Sequence, residues 1–286
     1  MTSSPTLPFI HLDVLWLQVT GTLCNIACRH CFISCGPKVR IHEPLTLDQA
    51  RQAILQAEAL GCRAYAFTGG EPFLHPELLA MVDLALARGP LLILTNGMLI
   101  DAALAGQLAA RAEASEHSLD IRISLDGVTA EENDRVRGPG VFAAATAGVR
   151  HLVQAGLEPT IAVTTLEAQG ASATGRQQML DLLRHLGVQR PRLKLIPPFK
   201  LGRQARRSPV SPWEQVTVDM LDADSPWLLQ CGTGRMVTAR GAWPCPILVN
   251  VDAARMGDTL RDALRPCELS HPACHTCHVE AFSCRS

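Results

Sequence analysis

The sequence predicts an α/β fold, in which a partial barrel of six β/α units is followed by a small cysteine-rich extension made of a hairpin and a helix. Apolar segments alternate with amphipathic ones over the first two thirds of the 286 residues, which is typical of a parallel sheet with right-handed crossovers. Polar or glycine-rich residues follow the first four apolar segments. The alternation ends near Pro197 and Pro198, and the chain beyond is rich in cysteine.

The six predicted strands are short apolar segments that contain β-branched residues or lie between helical patterns. They are Val14–Val19, Ala64–Phe67, Leu91–Leu94, Asp120–Ser124, Thr160–Thr164 and Leu193–Ile196. Apolar residues at intervals of three and four predict five helices between them, over Leu47–Leu60, Pro76–Arg88, Ile100–Arg111, Val141–Ala155 and Gly175–Leu186. The first helix begins with a capping-box sequence, in which Thr46 caps the helix and Gln49 reaches back to it.

We expect two domains, a barrel over residues 1–200 and a cysteine-rich domain over residues 201–286. In a barrel of this kind the chemistry lies at the carboxyl ends of the strands. The segments that follow the first four strands are Cys24 onward, Thr68-Gly69-Gly70-Glu71, Thr95-Asn96-Gly97 and Ser124-Leu125-Asp126-Gly127. The sequence therefore predicts a site built from these four segments.

The composition is typical of a globular protein and argues against a membrane protein and a nucleic-acid-binding protein. Hydrophobic residues make up 47% of the chain, charged residues 19%, and the formal net charge is −1. No apolar run approaches the ~20 residues that a membrane span needs, and the basic excess typical of nucleic-acid binding is absent. Because Met1–Pro8 lacks the basic region of a secretory signal, we expect a cytoplasmic protein with no membrane and no nucleic-acid partner.

Eleven cysteines need an explanation. Their number is odd and no signal directs the chain to an oxidising compartment, so metal binding is favoured over disulfides. Cys62 stands alone and is expected to be a small buried hydrophobe. Three thiols share the loop after the first strand: Cys24, Cys28 and Cys31. This spacing suits an iron–sulfur cluster with one open iron, although a zinc loop completed by His30 or Cys35 is an alternative.

This loop, followed by Gly69-Gly70-Glu71-Pro72 after the second strand, resembles the radical S-adenosylmethionine (SAM) enzymes over roughly residues 12–200. The resemblance implies that Cys24, Cys28 and Cys31 bind a [4Fe–4S] cluster. Its unique iron would chelate the amino and carboxylate groups of SAM. Reductive cleavage of SAM would then give a 5′-deoxyadenosyl radical, which abstracts a hydrogen atom from the substrate.

The resemblance also implies further SAM-binding residues. The stretch Gly69-Gly70-Glu71-Pro72 would bind the methionine amino group, since glycines permit close backbone approach and a carboxylate suits an ammonium. Ser124 and Asp126 match positions that contact the ribose or the methionyl part. Arg137 matches an arginine that pairs with the methionine carboxylate, and Asn96 is expected to face the same cavity.

Two other features near this site leave alternatives open. Cys35 follows the last cluster ligand by four residues and is a candidate catalytic residue, as a hydrogen donor to a radical intermediate. Its alternative role is to pack beneath the loop. A basic run follows the sixth strand, namely Lys200, Arg203, Arg206 and Arg207. It is either a solvated loop or a site for an anionic substrate at the barrel mouth.

The second cysteine group resembles the SPASM and twitch extensions of the same superfamily, which bind auxiliary iron–sulfur clusters. A hairpin is predicted over Met236–Trp243 and a helix over Met256–Leu264. The resemblance implies at least one auxiliary [4Fe–4S] cluster, held by Cys231, Cys245, Cys274 and Cys277. Cys284 or Cys267 could replace one of them. A second cluster with an open iron or a ligand from His271, His275 or His278, and a zinc ribbon, are the alternatives.

Together these features predict a radical SAM enzyme that oxidises or rearranges a small molecule. Only about a dozen residues precede the first strand, so no leader-binding domain of a peptide-modifying enzyme is expected. Modification of a ribosomally synthesised peptide by crosslinking, epimerisation or thioether formation is the alternative. A non-catalytic scaffold that binds zinc or an iron–sulfur cluster is a third hypothesis. An electron donor such as flavodoxin or ferredoxin would be the protein partner.

Overall fold

A computed structural model of the chain describes residues 4–165 and 172–280. The described residues form ten strands: β1 (Thr6–Leu7), β2 (Val14–Gln18), β3 (Ala64–Thr68), β4 (Leu91–Thr95), β5 (Leu119–Ser124), β6 (Thr160–Thr164), β7 (Arg192–Ile196), β8 (Gly234–Thr238), β9 (Gly241–Trp243) and β10 (Cys267–Glu268). Eight strands make one sheet in the order β7-β6-β5-β4-β3-β2-β8-β9, and β1 pairs with β10. The neighbours from β7 to β8 pair in parallel, and β9 returns antiparallel to β8.

Helices connect the parallel strands, as right-handed crossovers require. Those in the described residues are α1 (Leu47–Ala59), α2 (Leu78–Leu86), α3 (Ala102–Ala114), α4 (Ala130–Arg137), α5 (Val141–Gln154), α6 (Ala173–His185), α7 (Gly202–Ala205), α8 (Ser225–Leu228) and α9 (Pro272–Val279). The first of them has both hydrogen bonds of a capping box, from Gln49 N to Thr46 Oγ1 (3.1 Å) and from Thr46 N to Gln49 Oε1 (2.9 Å).

The predicted α/β fold is confirmed, and the six predicted strands are β2 to β7 with small differences at their ends. The five predicted helices are α1, α2, α3, α5 and α6. Helix α4 was not predicted because its sequence is mainly polar. It buries only Asn133 and Arg137, so it lacks the apolar repeat that indicates a helix.

The helix predicted over Met256–Leu264 is wrong. Met256 N donates to the Ala242 carbonyl and Ala242 N to the Gly257 carbonyl, both at 2.9 Å, so the start of this segment pairs with the hairpin as an extended bridge. Backbone groups used in this way cannot make the i to i−4 bonds of a helix. A single 3₁₀ turn follows at Arg261–Ala263, and the longest helix beyond residue 200 among the described residues is α9.

Alternate residues of β2, β3 and β4 face two different apolar clusters, as the two-residue period of a strand requires. In β2, Leu15 and Leu17 belong to the large cluster that includes helix residues such as Ile54 and Met81. Trp16, between them, belongs to a second cluster on the other face of the sheet, with Phe199 and Trp243 among its members. This second face is the side on which both cysteine groups lie.

The chain beyond residue 200 continues the main sheet. Strand β8 pairs in parallel with β2, with Trp16 opposite Met236, and β9 completes the predicted hairpin. Asn250 Nδ2 donates to the Ile33 carbonyl at 2.6 Å, which ties the extension to the first cysteine loop. Among the described residues, no helix is long and apolar enough to cross a membrane.

Candidate active site and cysteine-lined cavities

The loop after β2 brings three cysteines to a cavity at the carboxyl ends of the parallel strands. Cys24, Cys28 and Cys31 all line this cavity. Residues that follow β3, β4 and β5 line it as well, namely Gly69, Gly70, Asn96 and Ser124. The structure thus brings the cysteine loop and the predicted strand ends together in one place.

Two glycines after β3 allow the cysteine loop to lie directly against the sheet. A Cβ on Gly70 would be 2.0 Å from the Leu23 carbonyl oxygen, and a Cβ on Gly69 would be 2.2 Å from Thr20 Oγ1. The same Leu23 carbonyl accepts a 2.9 Å hydrogen bond from Glu71 N. The glycine pair therefore fixes the position of the backbone just before Cys24.

The Glu71 carboxylate points into the protein. It is fully buried and accepts hydrogen bonds from Thr95 Oγ1 (2.7 Å), Asn96 N (2.8 Å) and Phe73 N (3.1 Å). Burial raises the pKa of Glu71 to about 7, although these three donors act to lower it. Neither Glu71 nor Pro72 is among the residues that line the cavity. The carboxylate therefore joins the loops after β3 and β4, and the backbone of the two preceding glycines faces the cavity.

Asn96 connects the end of β4 to the cysteine loop. Its Nδ2 donates to Asn25 Oδ1 at 2.7 Å and lies 3.9 Å from Cys24 Sγ. Its Oδ1 accepts from Met98 N at 3.0 Å, which fixes the orientation of the amide. Asn96 lines the cavity, and its amide also orders the residue beside the first cysteine.

A buried ion-pair network lies at the cavity wall. Arg137 Nε is 2.7 Å from Asp126 Oδ2, His30 Nε2 is 3.2 Å from the same oxygen, and Thr164 N donates to Asp126 Oδ1 at 2.7 Å. Burial disfavours the charged form of Asp126, but Arg137 and His30 outweigh this effect and hold its pKa below the usual value. Arg137 and Ser124 line the cavity, whereas Asp126 does not. Asp126 thus orients a cation and an imidazole at the cavity wall.

The sequence identifies Arg203 only as a member of a basic run, but in the structure its side chain contacts the cysteine loop. Its Nε donates to the Cys28 carbonyl at 2.7 Å and its Nη2 to the Cys35 carbonyl at 2.5 Å. Its backbone N–H donates to the Cys31 carbonyl at 3.1 Å. Lys200, from the same run, pairs with Glu214. Arg203 therefore fastens the cysteine loop, and only the three-dimensional structure reveals this contact.

Cys35 is buried and lines the cavity. Its backbone N–H lies 3.3 Å from Cys31 Sγ, and its own Sγ lies 3.9 Å from the Gly69 carbonyl oxygen. A hydrogen bond to the Cys31 thiolate and burial together raise the pKa of Cys35 well above its usual value. The structure thus places a buried thiol next to the cavity, and its role as a hydrogen donor stays a prediction.

The three loop thiols differ in their surroundings. Burial raises the pKa of Cys24 to about 12 and also raises that of Cys28. Hydrogen bonds from the Cys35 side chain lower the pKa of Cys31 to about 6. No group of three His, Cys, Asp or Glu side chains in residues 4–165 and 172–280 is placed to hold a single metal ion. The cysteines surround a shared space, a donor set of thiols that suits an iron–sulfur cluster.

Five cysteines of the second group surround another, mainly apolar cavity. They are Cys231, Cys245, Cys267, Cys274 and Cys277. Burial raises the pKa of Cys245 to about 11 and that of Cys274 to about 12. A hydrogen bond from the Cys231 thiol lowers the pKa of Cys267. Cys284, the sixth cysteine of the group, lies outside the described residues.

Histidines near this second cavity have other contacts. His271 Nδ1 accepts from Ala273 N at 3.1 Å and so caps α9. The ring of His275 packs against Trp213, with ring centroids 5.7 Å apart. Neither His271 nor His275 lines the cysteine-lined cavity, so these contacts favour thiol ligands over histidine ligands there.

The family model of the Radical SAM superfamily matches residues 19–167, just over half of the chain. The mycofactocin maturase MftC of Mycobacterium ulcerans is 38% identical over 134 residues, which cover 46% of this chain and 34% of that protein. The AdoMet-dependent heme synthase of Oleidesulfovibrio alaskensis is 34% identical over 153 residues, covering 53% and 37% of the two chains. The matches thus span only about a third of these curated relatives.

Solved structures share the fold at low sequence identity. Streptococcus suis SuiB bound to its precursor peptide SuiA superposes with a TM-score of 0.66 and 13% identity, over 90% of this chain and 65% of that chain. The enzyme anSMEcpe with bound AdoMet superposes with a TM-score of 0.63 and 16% identity, over 88% and 77% of the two chains. These likenesses support the partial-barrel architecture with its extension.

Proposed function

The chain belongs to the radical SAM superfamily, and on this basis we propose that it oxidises or rearranges a small molecule. Membership makes it an iron–sulfur enzyme that uses SAM and a [4Fe–4S] cluster. When bound, these two groups supply a 5′-deoxyadenosyl radical that abstracts hydrogen from the substrate. The observation that carries the proposal is the common cavity lined by Cys24, Cys28 and Cys31 at the carboxyl ends of the strands.

In this proposal the three cysteines bind the cluster as thiolates. Three protein ligands leave one of four irons without a side chain, so that it is open to the amino and carboxylate groups of SAM. The Gly69-Gly70 backbone and the Asn96 amide offer polar groups at the cavity wall. Arg137, oriented by Asp126, offers a cation for the SAM carboxylate. The buried Cys35 thiol lines the same cavity and is the candidate hydrogen donor.

Apolar side chains form much of the remaining wall and would exclude water from the radical reaction. They are Ile26, Phe32, Leu94, Ile196 and Phe199. Arg203 also lines this cavity, but its guanidinium is engaged with the carbonyls of the cysteine loop. The apolar wall supports a compact, mainly apolar substrate over a highly charged one.

We propose that residues 201–286 form a SPASM- or twitch-like domain next to the barrel of residues 1–200. The shared wall of cysteines supports one auxiliary [4Fe–4S] cluster, for which Cys231, Cys245, Cys274 and Cys277 are the predicted ligands. Such a cluster would accept an electron from a substrate radical, which suits an oxidation. The first cluster would receive its electron from a donor such as flavodoxin or ferredoxin.

Peptide modification is the second candidate function, and a specific observation favours it. Among the solved structures with this fold, SuiB is bound to a precursor peptide. Relatives at the sequence level include both a mycofactocin maturase and a heme synthase. The two candidates differ in which substrate stimulates SAM cleavage.

The test is anaerobic turnover of reconstituted, dithionite-reduced protein, with 5′-deoxyadenosine measured by chromatography. We expect the wild type to form it, and Cys24→Ala, Cys28→Ala and Cys31→Ala to abolish it. Cys62→Ala is the matched control, because that thiol contacts the Asp13 and Ala64 carbonyls away from both cavities. Stimulation by a precursor peptide but by no small molecule would replace the main proposal with the alternative. A reduced wild type that forms no 5′-deoxyadenosine would overturn both.

A further inference from the structure

Cys267 is held in the wall of the C-terminal cavity by the N-terminal end of the chain. It lies in β10, which pairs antiparallel with β1 so that Leu7 is opposite Cys267. Leu269 N donates to the Pro5 carbonyl at 2.9 Å, which extends this pairing. Cys267 is 6% exposed and packs in one apolar cluster with Leu7. Its backbone is therefore held in place by the N-terminal strand.

A fully buried cation lies beside the same cavity. Arg235, in β8, is 0% exposed. Its Nη1 donates to the Cys231 carbonyl at 2.7 Å, its Nε to the Ala263 carbonyl at 2.5 Å and its Nη2 to the Arg265 carbonyl at 2.7 Å. The guanidinium lies over the Phe9 ring, 4.1 Å from its centroid. None of these partners carries a negative charge, and no carboxylate of residues 4–165 and 172–280 forms an ion pair with Arg235.

A buried guanidinium without a counter-charge is energetically unfavourable, even with neutral dipoles around it. The cysteines of the second cavity can supply a counter-charge as thiolates, whereas Glu268, which also lines that cavity, forms no ion pair with Arg235 within the described residues. Burial lowers the pKa of Arg235, while Cys267, Cys231 and Cys245 act to raise it. The guanidinium donates to the carbonyl of Cys231 itself. It also donates to the carbonyl of Arg265, which precedes Cys267 by two residues.

We propose that Cys267 is a ligand of the auxiliary cluster, together with Cys231, Cys245 and Cys274, and that Arg235 is its buried counter-charge. This inference rests on the proposed auxiliary cluster and changes its ligand set, since Cys267 takes the place predicted for Cys277. The Cys267 thiol lies close enough to Cys231, Cys245 and Cys274 to interact with all three. Four thiolates around a [4Fe–4S] core carry net negative charge, and the reduction potential of such a cluster depends on nearby charge. Arg235 thus stabilises the reduced, more negative state of the cluster and acts as a positioning residue for Cys231.

The first test counts iron in a full-length background that lacks the N-terminal cluster, made by Cys24→Ala, Cys28→Ala and Cys31→Ala together. This background is expected to bind about four iron and four sulfide ions per chain after anaerobic reconstitution. Adding Cys267→Ala is expected to reduce iron and sulfide to half or less and to remove the visible absorbance of a four-iron cluster. Adding Cys277→Ala is expected to leave about four irons.

The outcomes separate this inference from the proposed function. A background protein that binds zinc, or no iron, would show that the auxiliary cluster itself is wrong. A background protein with about four irons that keeps them after Cys267→Ala, and loses them after Cys277→Ala, would overturn only the ligand assignment. Cys62→Ala in the same background controls for the loss of a buried thiol, and is expected to change nothing.

The second test concerns the charge of Arg235. In the same background, the midpoint potential of the auxiliary cluster is measured by a redox titration followed by electron paramagnetic resonance. Arg235→Met is expected to shift the potential to more negative values, because the reduced state loses a nearby cation. Arg235→Lys keeps the charge and is expected to retain a potential close to that of the background. Equal potentials in the Met and Lys variants would overturn the counter-charge assignment, and failure of the Lys variant to bind any cluster would do the same.

Discussion

Replacing Gly70 by alanine tests whether the glycine pair fixes the position of the first cysteine. The added Cβ would lie 2.0 Å from the Leu23 carbonyl oxygen and 2.7 Å from Cys24 N, whereas real Cβ contacts are essentially never shorter than 3.0 Å. Both obstacles are backbone atoms, so no side-chain rotation relieves the overlap. The segment of Leu23 and Cys24 must therefore move by about 1 Å.

That displacement is large compared with the tolerance of a metal-ligand position, but it is expected to cost the fold only modest stability. Overpacking of this kind typically destabilises a protein by about 1–3 kcal/mol, so Gly70→Ala is expected to fold. Ligand positions in metal sites are met to within about 0.2 Å, and the expected movement of Cys24 is several times larger. Changes to residues that orient metal ligands typically cost about 10–100-fold in metal affinity or activity. We expect Gly70→Ala to lose SAM cleavage by at least this factor.

The assay compares iron content and 5′-deoxyadenosine formation after anaerobic reconstitution. Gly70→Ala is expected to bind about four irons fewer than the wild type, with the C-terminal site unaffected. Gly106→Ala is the matched control, because it lies in α3 and an added Cβ meets nothing within 4 Å. This control is expected to keep full activity and to gain about 0.5–1 kcal/mol of helix stability. Full iron content and a wild-type rate in Gly70→Ala would refute the reasoning.

Three further predictions follow from the same site. Arg203→Ala removes the hydrogen bonds to the cysteine-loop carbonyls, so we expect a chelator to extract the N-terminal cluster faster from this variant than from the wild type. Arg206→Ala is the control, because the Arg206 side chain is exposed, and its cluster should be extracted at the wild-type rate. Asp126→Asn leaves Arg137 buried without its anion, and chemical denaturation of the apoprotein should show a loss of about 3–5 kcal/mol; a loss below 1 kcal/mol would contradict the network. Burial lowers the pKa of His30 from 6.5 to about 4, so the unfolded state binds the proton first and the free energy of unfolding falls as the pH falls from about 6.5 to about 4. His30→Asn should reduce this pH dependence, and an identical pH profile in the variant would show that His30 does not cause it.

The parallel sheet and its helices were predictable because their signals are local. Each strand from β2 to β7 is a short apolar run, and the helices between them repeat apolar residues every three or four positions. The cap of α1 depends on two residues only three positions apart, Thr46 and Gln49. The polar helix α4 escaped prediction, since it packs through Asn133 and Arg137 and carries no apolar stripe.

The location of the site was predictable from the sequence. The directions in which its side chains point were not. Residue spacing placed Glu71 and Asp126 at strand ends, where both lie, but it could not show that their side chains are buried. Their partners come from other loops: Thr95 donates to Glu71, and Arg137 pairs with Asp126. Which donors reach a carboxylate depends on how loops distant in the sequence pack together, and one sequence contains no local signal for that.

The two cysteine groups were predicted as separate motifs, yet the structure joins them across one apolar cluster. Cys24, Cys31 and Cys35 of the first group and Cys245, Cys274 and Cys277 of the second all contact it. Trp16, Phe199 and Trp243 lie in the same cluster, and the Asn250 bond to the Ile33 carbonyl closes one side of it. Because β8 also covers the edge of β2, the extension contributes to the barrel sheet as well as to its own cavity. In the proposed oxidation, this apolar packing between the two sites would keep water away from the substrate radical.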